Sequence, residues 1–190
     1  MIKNNEIEFW AKFEGEFRKD TQMRIDDDGR LLGSILMLNP GKSSPISKAL
    51  DEDGFQKCIP DPTMSEIKLI MQDYSNFNKG VVKIINLSDV RNSNSEAFLS
   101  SSPKFKPLED ITNDIDESEW VWIAWTCRTK NNLLKNLQQD IIKFLNTNKF
   151  KILGKNKAQV GYYHPFGIRL MKKDKRIEIE NYIKEQFETL

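Results

Sequence analysis

Five short apolar runs, separated by stretches of helical periodicity and mostly ending in polar residues, constrain this chain more than any other feature of its sequence. They are Leu31–Leu38, Val81–Ile85, Trp120–Trp125, Phe150–Leu153 and Val160–Tyr163. Several are almost unbroken in hydrophobicity, as a strand must be when both faces of its sheet are covered. Between them, Met64, Ile67, Ile70, Met71, Tyr74 and Phe77 recur on one face of a helix beginning near Pro62. Leu134, Leu137, Ile141, Phe144 and Leu145 mark a second helix, and Ile179, Tyr182, Ile183 and Phe187 a C-terminal one. Strand alternating with helix predicts right-handed crossovers and a three-layer α-β-α sandwich around a central, mostly parallel sheet. Phe9–Arg30 reads ambiguously, as a helix followed by a hairpin turning at Asp28-Gly29, and the Ser/Pro/Asn-rich Ser93–Pro107 as a long exposed loop.

The bulk properties fit one domain spanning residues 1–190. The chain is 38% hydrophobic and 30% charged, within the range of globular proteins. No apolar run reaches membrane-spanning length, and Met1–Glu6 lacks the apolar core of a secretory signal. Cys58 and Cys127 allow at most one disulfide, so free thiols in a reducing compartment are expected, and with them a cytoplasmic monomer. The net charge of +1 does not announce a nucleic-acid partner. Its distribution is more informative: Asp26-Asp27-Asp28 and Asp110–Glu119 are acidic, whereas Arg169–Arg176 holds five basic residues and one acid. That run reads as a basic docking edge or as a solvated face.

Ligands of open parallel sheets bind beyond the C-terminal strand ends, so the residues just past each run nominate a site. Asn39-Pro40-Gly41-Lys42-Ser43-Ser44 follow the first, Asn86-Leu87-Ser88-Asp89 close the second, Thr126-Cys127-Arg128 follow the third and His164-Pro165-Phe166-Gly167 the last. Each string also has a plain structural reading. Asn-Pro-Gly is a common turn, the single histidine is able to sit in a core or on a surface, and Trp120, Trp122 and Trp125 suit a core, the last reaching toward the site edge. Asp61-Pro62-Thr63 reads as a helix start, capped by Asp61 or by a Thr63–Glu66 capping box. One histidine and two distant cysteines do not make a usual zinc site, and Gly41-Lys42-Ser43 lacks the rest of a phosphate-binding loop. No metal and no cofactor are expected.

Ser34–Ser44, a strand running into Asn-Pro-Gly, resembles the first motif of the uracil-DNA glycosylases. Ile84-Ile85-Asn86, Trp122-Ile123-Ala124-Trp125 and Gly161–Pro165 are similar to later motifs of that superfamily, in the same order. Met37-Leu38-Asn39-Pro40, Asp61-Pro62-Thr63, Asn86-Leu87, Ala124-Trp125 and His164-Pro165 resemble more closely a bacterial and phage family of unknown function within it. The resemblance implies a uracil-DNA glycosylase-like sandwich and a metal-independent DNA glycosylase that flips a base out of single- or double-stranded DNA. Asn39 would position the attacking water and His164 would hydrogen-bond the departing base. Pro40, Gly41, Asp61, Asn86, Trp125 and Arg128 would line the base pocket. Lys42, Ser43, Ser44, Arg169, Lys172, Lys173, Lys175 and Arg176 would meet DNA phosphates. Leu38, Thr126 and Phe166-Gly167 depart from the superfamily pattern, so uracil is not carried over as the substrate. The resemblance to the phage-linked family implies a modified base as the target, in repair or antiphage defence. A non-catalytic reader of nucleic acid or nucleotides on the same fold, or a hydrolase of free nucleosides or nucleotides, are the alternatives.

Overall fold

The computed structural model describes residues 6–26, 29–72, 79–92, 94–125, 130–155 and 161–190. Tyr74, Phe77, Thr126, Cys127, Arg128 and Val160, all singled out in the sequence, lie outside the described residues.

The chain opens with an antiparallel hairpin of β1 (Ile7–Glu14) and β2 (Phe17–Ile25). Ile7, Phe9 and Ala11 are buried and alternate with more exposed Glu8, Trp10 and Lys12, the pattern of a half-covered strand. The hairpin turns at Gly15-Glu16, with Gly15 at φ +58°, and the described residues of Phe9–Arg30 hold no helix; Asp28 lies outside the described residues. A register shift between Ala11 and Phe13 interrupts the alternation and turns Arg18 inward.

The strand β3 (Leu31–Met37) follows. Gly33 is required there, because a β-carbon would stand 2.4 Å from the Trp120 ring. Two short strands, β4 (Ser44–Pro45) and β5 (Gln56–Ile59), pair with each other, and β5 adds to β1. The helix α1 (Pro62–Gln72) is capped by Asp61, whose Oδ1 accepts from the backbone N–H groups of Thr63 and Met64 at 3.0 and 2.9 Å. Such a cap contributes about 1 kcal/mol. The next strand is β6 (Gly80–Asn86). Within Ser93–Pro107 the structure has a short helix, α2 (Ser95–Ser100), held by the fully buried Phe98, where the sequence suggested only a loop. Then come α3 (Leu108–Ile115), β7 (Trp120–Ile123), α4 (Asn132–Thr147) and β8 (Lys151–Leu153). The expected strand Val160–Tyr163 does not form over its described part, Gly161–Tyr163. Tyr162 makes an isolated bridge to Lys155, and the chain passes into α5 (Pro165–Arg169) and α6 (Lys173–Glu188).

The strands form one sheet in the order β4-β5-β1-β2-β6-β3-β7-β8. β6, β3, β7 and β8 are parallel, and the N-terminal strands extend them antiparallel, so the sheet is mixed. Two apolar clusters cover its faces. One joins Ile35, Met37, Val82, Ile84, Trp122 and Ala124 to α1, α5 and α6; the other joins Leu36, Ile85, Val121, Ile123 and Trp125 to α2, α3 and α4. The architecture is therefore α/β, with helices on both faces of a central sheet. Among the described residues no helix is long and apolar enough to cross a membrane.

Candidate functional site at the ends of three neighbouring strands

Three adjacent strands, β2, β6 and β3, bring polar side chains to the same end of the sheet. Met37 is in register with Asn86, and the ladder runs on past both strands: Leu87 N–H donates to Met37 O at 2.9 Å and Ser88 N–H to Leu38 O at 3.1 Å. On the other side of β6, Arg18 N–H donates to Asp89 O at 3.0 Å. Strand alternation sets Asn86 on the same face as Val82 and Ile84, the face covered by α1. Arg18 reaches that face too, for its Nη1 donates to Met64 Sδ on α1 at 3.5 Å.

Asn39 is buried and fixed in orientation. Its Nδ2 donates to Asn92 O at 2.7 Å and to Pro40 O at 3.1 Å. Both partners are carbonyls, so the amide nitrogen must face them. Oδ1 then points away, with no partner among the described residues. The loop is tied down by Asn92 N–H donating to Pro40 O at 2.9 Å and by Arg91 Nη2 donating to Ser43 O at 2.7 Å.

Asp61 joins this loop to α1 and to β2. A β-carbon at Gly41 would stand 2.4 Å from Asp61 Oδ2, so only glycine fits beside it. The same oxygen lies 3.8 Å from Arg18 Nη1, both side chains being buried. Burial pulls the Arg18 pKa down against the upward pull of Asp61; the guanidinium stays charged, as arginine does in proteins.

His164 occupies the N-cap position of α5, which packs on α1, and its side chain makes no capping hydrogen bond. Burial pushes the imidazole pKa below its ordinary 6.5, opposed by the Asp61 carboxylate. The ring is therefore neutral at pH 7, able to donate from one nitrogen and accept at the other.

Several buried polar atoms here have no hydrogen-bond partner among the described residues: Arg18 Nε and Nη2, both amide atoms of Asn86, and Thr21 Oγ1. Each such atom costs about 1–3 kcal/mol when left unmet. Further buried polar atoms without a partner among the described residues occur at Glu66, Arg91, Trp122 and Trp125, the last on the opposite face of the sheet. No family model, curated protein or solved structure matches this chain. The site is therefore read from its own chemistry.

The structure brings together Asn39, Pro40, Gly41, Asp61, Asn86 and His164, and corrects others. Trp125 is fully buried in the cluster on the opposite face, because alternation along β7 sends Ala124 and Trp125 to opposite sides; it does not line this site. Arg128 lies outside the described residues. Of the three residues after Gly41, Lys42 is exposed, Ser43 is buried and Ser44 is paired with Ile59 in β4, so Ser43 does not form a surface contact. Arg169, Lys172, Lys173 and Lys175 are exposed. Arg176 is instead engaged by two carboxylates, Glu66 Oε2 at 3.1 Å from Nη2 and Glu180 Oε1 at 2.5 Å from Nε. Arg18 was not found by sequence reasoning; alternation along the hairpin buries Thr21, Met23 and Ile25 and would set Arg18 outward.

Among the described residues no group of three or more His, Cys, Asp or Glu side chains is placed to hold a metal ion. A groove of about 410 Å³ elsewhere is lined by Lys12, Lys19, Lys83 and Lys106, among others. Its cations already have partners: Asp20, Glu14, the Asp114 carbonyl and Asp89 respectively. It is a weaker candidate than the strand-end cluster.

Proposed function

We propose that this protein is a metal-independent DNA glycosylase of the uracil-DNA glycosylase-like fold, acting on a flipped base at the strand ends that carry Asn39 and Asn86, with His164 at the start of α5. The observation that carries the reading is the orientation of Asn39. With Nδ2 donating to the Asn92 and Pro40 carbonyls, its Oδ1 is the atom left to accept a hydrogen bond from an attacking water and so hold it in place, the water's proton passing to solvent once it has added to the sugar carbon. Asn86, one strand away and in register with Met37, has an unmet donor and acceptor for the edge of a base.

Cleavage of an N-glycosidic bond builds positive charge on the sugar and negative charge on the departing base. A neutral His164 donates a hydrogen bond to that base as its charge develops, and a donor so aimed is worth about 2.7–4 kcal/mol. Water held by Asn39 then attacks the sugar carbon. Flipping costs about a few kcal/mol, offset by contacts in the site and by Lys42, Arg169, Lys172, Lys173 and Lys175 on the DNA backbone.

The test is incubation with DNAs carrying uracil, hypoxanthine, mismatches or hypermodified bases, followed by alkali to cut at abasic sites. Base release by the wild type that is lost in Asn39→Ala supports the reading. Intact binding with no release of any base supports a non-catalytic reader instead.

A further inference from the structure

Phe17 is 46% exposed at the start of β2. The register shift that turns Arg18 toward α1 sets its neighbours Phe17 and Lys19 together on the other face. Val90 bridges to Phe17, and Lys106 N–H donates to Leu87 O at 2.8 Å, which holds the segment around Lys104–Pro107 beside the end of β6. A groove of about 360 Å³ opens here, with Phe17, Val90, Phe105 and Pro107 as its apolar lining. Phe105 is fixed by an edge-on contact with Phe98, their ring centres 6.2 Å apart. The volume lies within the range of about 300–1,000 Å³ of ligand clefts.

Lys19, Lys104 and Lys106 share this lining with Asp89 and Asp110. Lys106 is held to Asp89 at 3.1 Å, both side chains largely covered, so that pair is a neutral part of the wall. Asp110 stands in the first turn of α3, where the helix dipole offsets its charge. Lys104 is exposed and has no ion pair among the described residues. Lys19 pairs with Glu14, but both side chains are exposed, and such a pair holds its lysine weakly. An exposed aromatic ring thus shares a groove with two available cations. What fits is a chain of flat rings linked by anions: each unpaired nucleotide brings one base face and one phosphate. In a duplex the base faces cover one another, and an acidic peptide brings the anions without the rings. We propose that this groove binds single-stranded nucleic acid, one base stacking on Phe17 while Lys19 and Lys104 meet neighbouring phosphates. Asn86 faces the opposite side of the sheet, so the role of Phe17 does not depend on excision of any base.

The experiment titrates a short, labelled, unmodified oligo(dT) with wild type, Phe17→Ala, Phe17→Trp and Lys104→Glu, following binding by fluorescence anisotropy. Phe17 and Lys104 are exposed, so the variants keep the fold. The expected result is binding about tenfold weaker in Phe17→Ala and retained in Phe17→Trp. Lys104→Glu should weaken binding and lower its salt dependence. Duplex binding should be indifferent to Phe17→Ala, and an equal loss on duplex overturns the stacking role. Oligo(dT) binding unchanged in Phe17→Ala also overturns the proposal. Competition by a glutamate-rich peptide as strong as by unlabelled oligo(dT) overturns it in favour of a protein partner. Base release that is lost in Asn39→Ala, with binding indifferent to Phe17, keeps the glycosylase reading and removes this groove. Oligo(dT) binding that needs Phe17, by a protein that releases no base, supports the groove and contradicts excision.

Discussion

Asp61 fills the space that a side chain at Gly41 would need: a β-carbon there would stand 2.4 Å from Asp61 Oδ2. One carboxylate thereby sets the closeness of the Asn39–Gly41 loop, starts α1 and faces the buried Arg18.

Removing it should expose how these roles combine. Asp61→Ala loses a helix cap worth about 1 kcal/mol. It also leaves the Arg18 guanidinium buried without a counter-charge, which raises the expected loss to about 3–5 kcal/mol. Asp61→Asn keeps a side-chain oxygen for the cap and should fall between the two. Urea unfolding measures all three proteins. An Asp61→Ala cost no larger than a cap would show that Arg18 does not depend on this carboxylate.

Asn39 separates two functions of one amide. Asn39→Ala should reduce base release at least about 100-fold while leaving the near-ultraviolet circular dichroism native. Asn39→Asp retains an acceptor but sets carboxylate oxygen against the Asn92 and Pro40 carbonyls, so it should lose activity and stability together. Unchanged release by either variant would remove Asn39 from the mechanism.

His164 gives a pH signature with a definite sign. Its folded pKa is depressed below 6.5 by burial, so between that value and its folded pKa the unfolded chain binds more protons than the folded one. Stability is therefore lost as pH falls from about 6.5. His164→Gln should flatten that slope. Base release, in which neutral His164 is the donor, should keep its pH 7 behaviour below pH 6.5 and change only under more acidic conditions. A decline that tracks an unshifted histidine would contradict its burial.

Glu66 predicts the opposite slope. Burial, reinforced by Glu180 and opposed by Arg176, pushes its carboxyl up to about 7. Between the ordinary 4.5 and that value the folded protein holds the extra proton, so stability falls as pH rises through this window. Glu66→Gln should remove this loss, and unfolding curves at pH 5 and pH 8 compare the two proteins. A wild-type stability that does not decline between these pH values more than that of the variant would contradict the assignment.

The basic edge is tested by salt. Replacing Lys172 and Lys173 with Ala should lower the slope of log binding constant against log salt by up to about 0.9 per lost phosphate contact on duplex DNA. Arg176→Ala should instead destabilise the fold, because it removes the cation facing Glu66 and Glu180. An unchanged slope in the double lysine variant would place the DNA track elsewhere.

What the sequence made legible follows from where burial leaves a periodic mark. β3, β6 and β7 are covered on both faces and stand out as apolar runs, and α1, α4 and α6 show one apolar face each. The hairpin was misread because its exposed residues and the shift at Ala11/Phe13 break a simple period of two. The helix α2 is six residues long, too short for a helical stripe to emerge. Asn39, Asn86, Asp61 and His164 were reachable because strand ends and helix starts announce themselves locally. Arg18 was not, since its place depends on β2 pairing with a strand more than fifty residues away. Trp125 shows the limit from the other direction: in a continuous apolar run, nothing fixes which face a given residue takes.

The most direct measurement of the central claim is abasic-site formation on a DNA panel that includes deoxyinosine and deoxyuridine, by wild type, Asn39→Ala and His164→Ala in parallel. The account predicts alkali-sensitive cleavage of at least one substrate by the wild type, and its loss in both variants with their fold intact. No cleavage of any substrate, or equal cleavage by all three proteins, would contradict it.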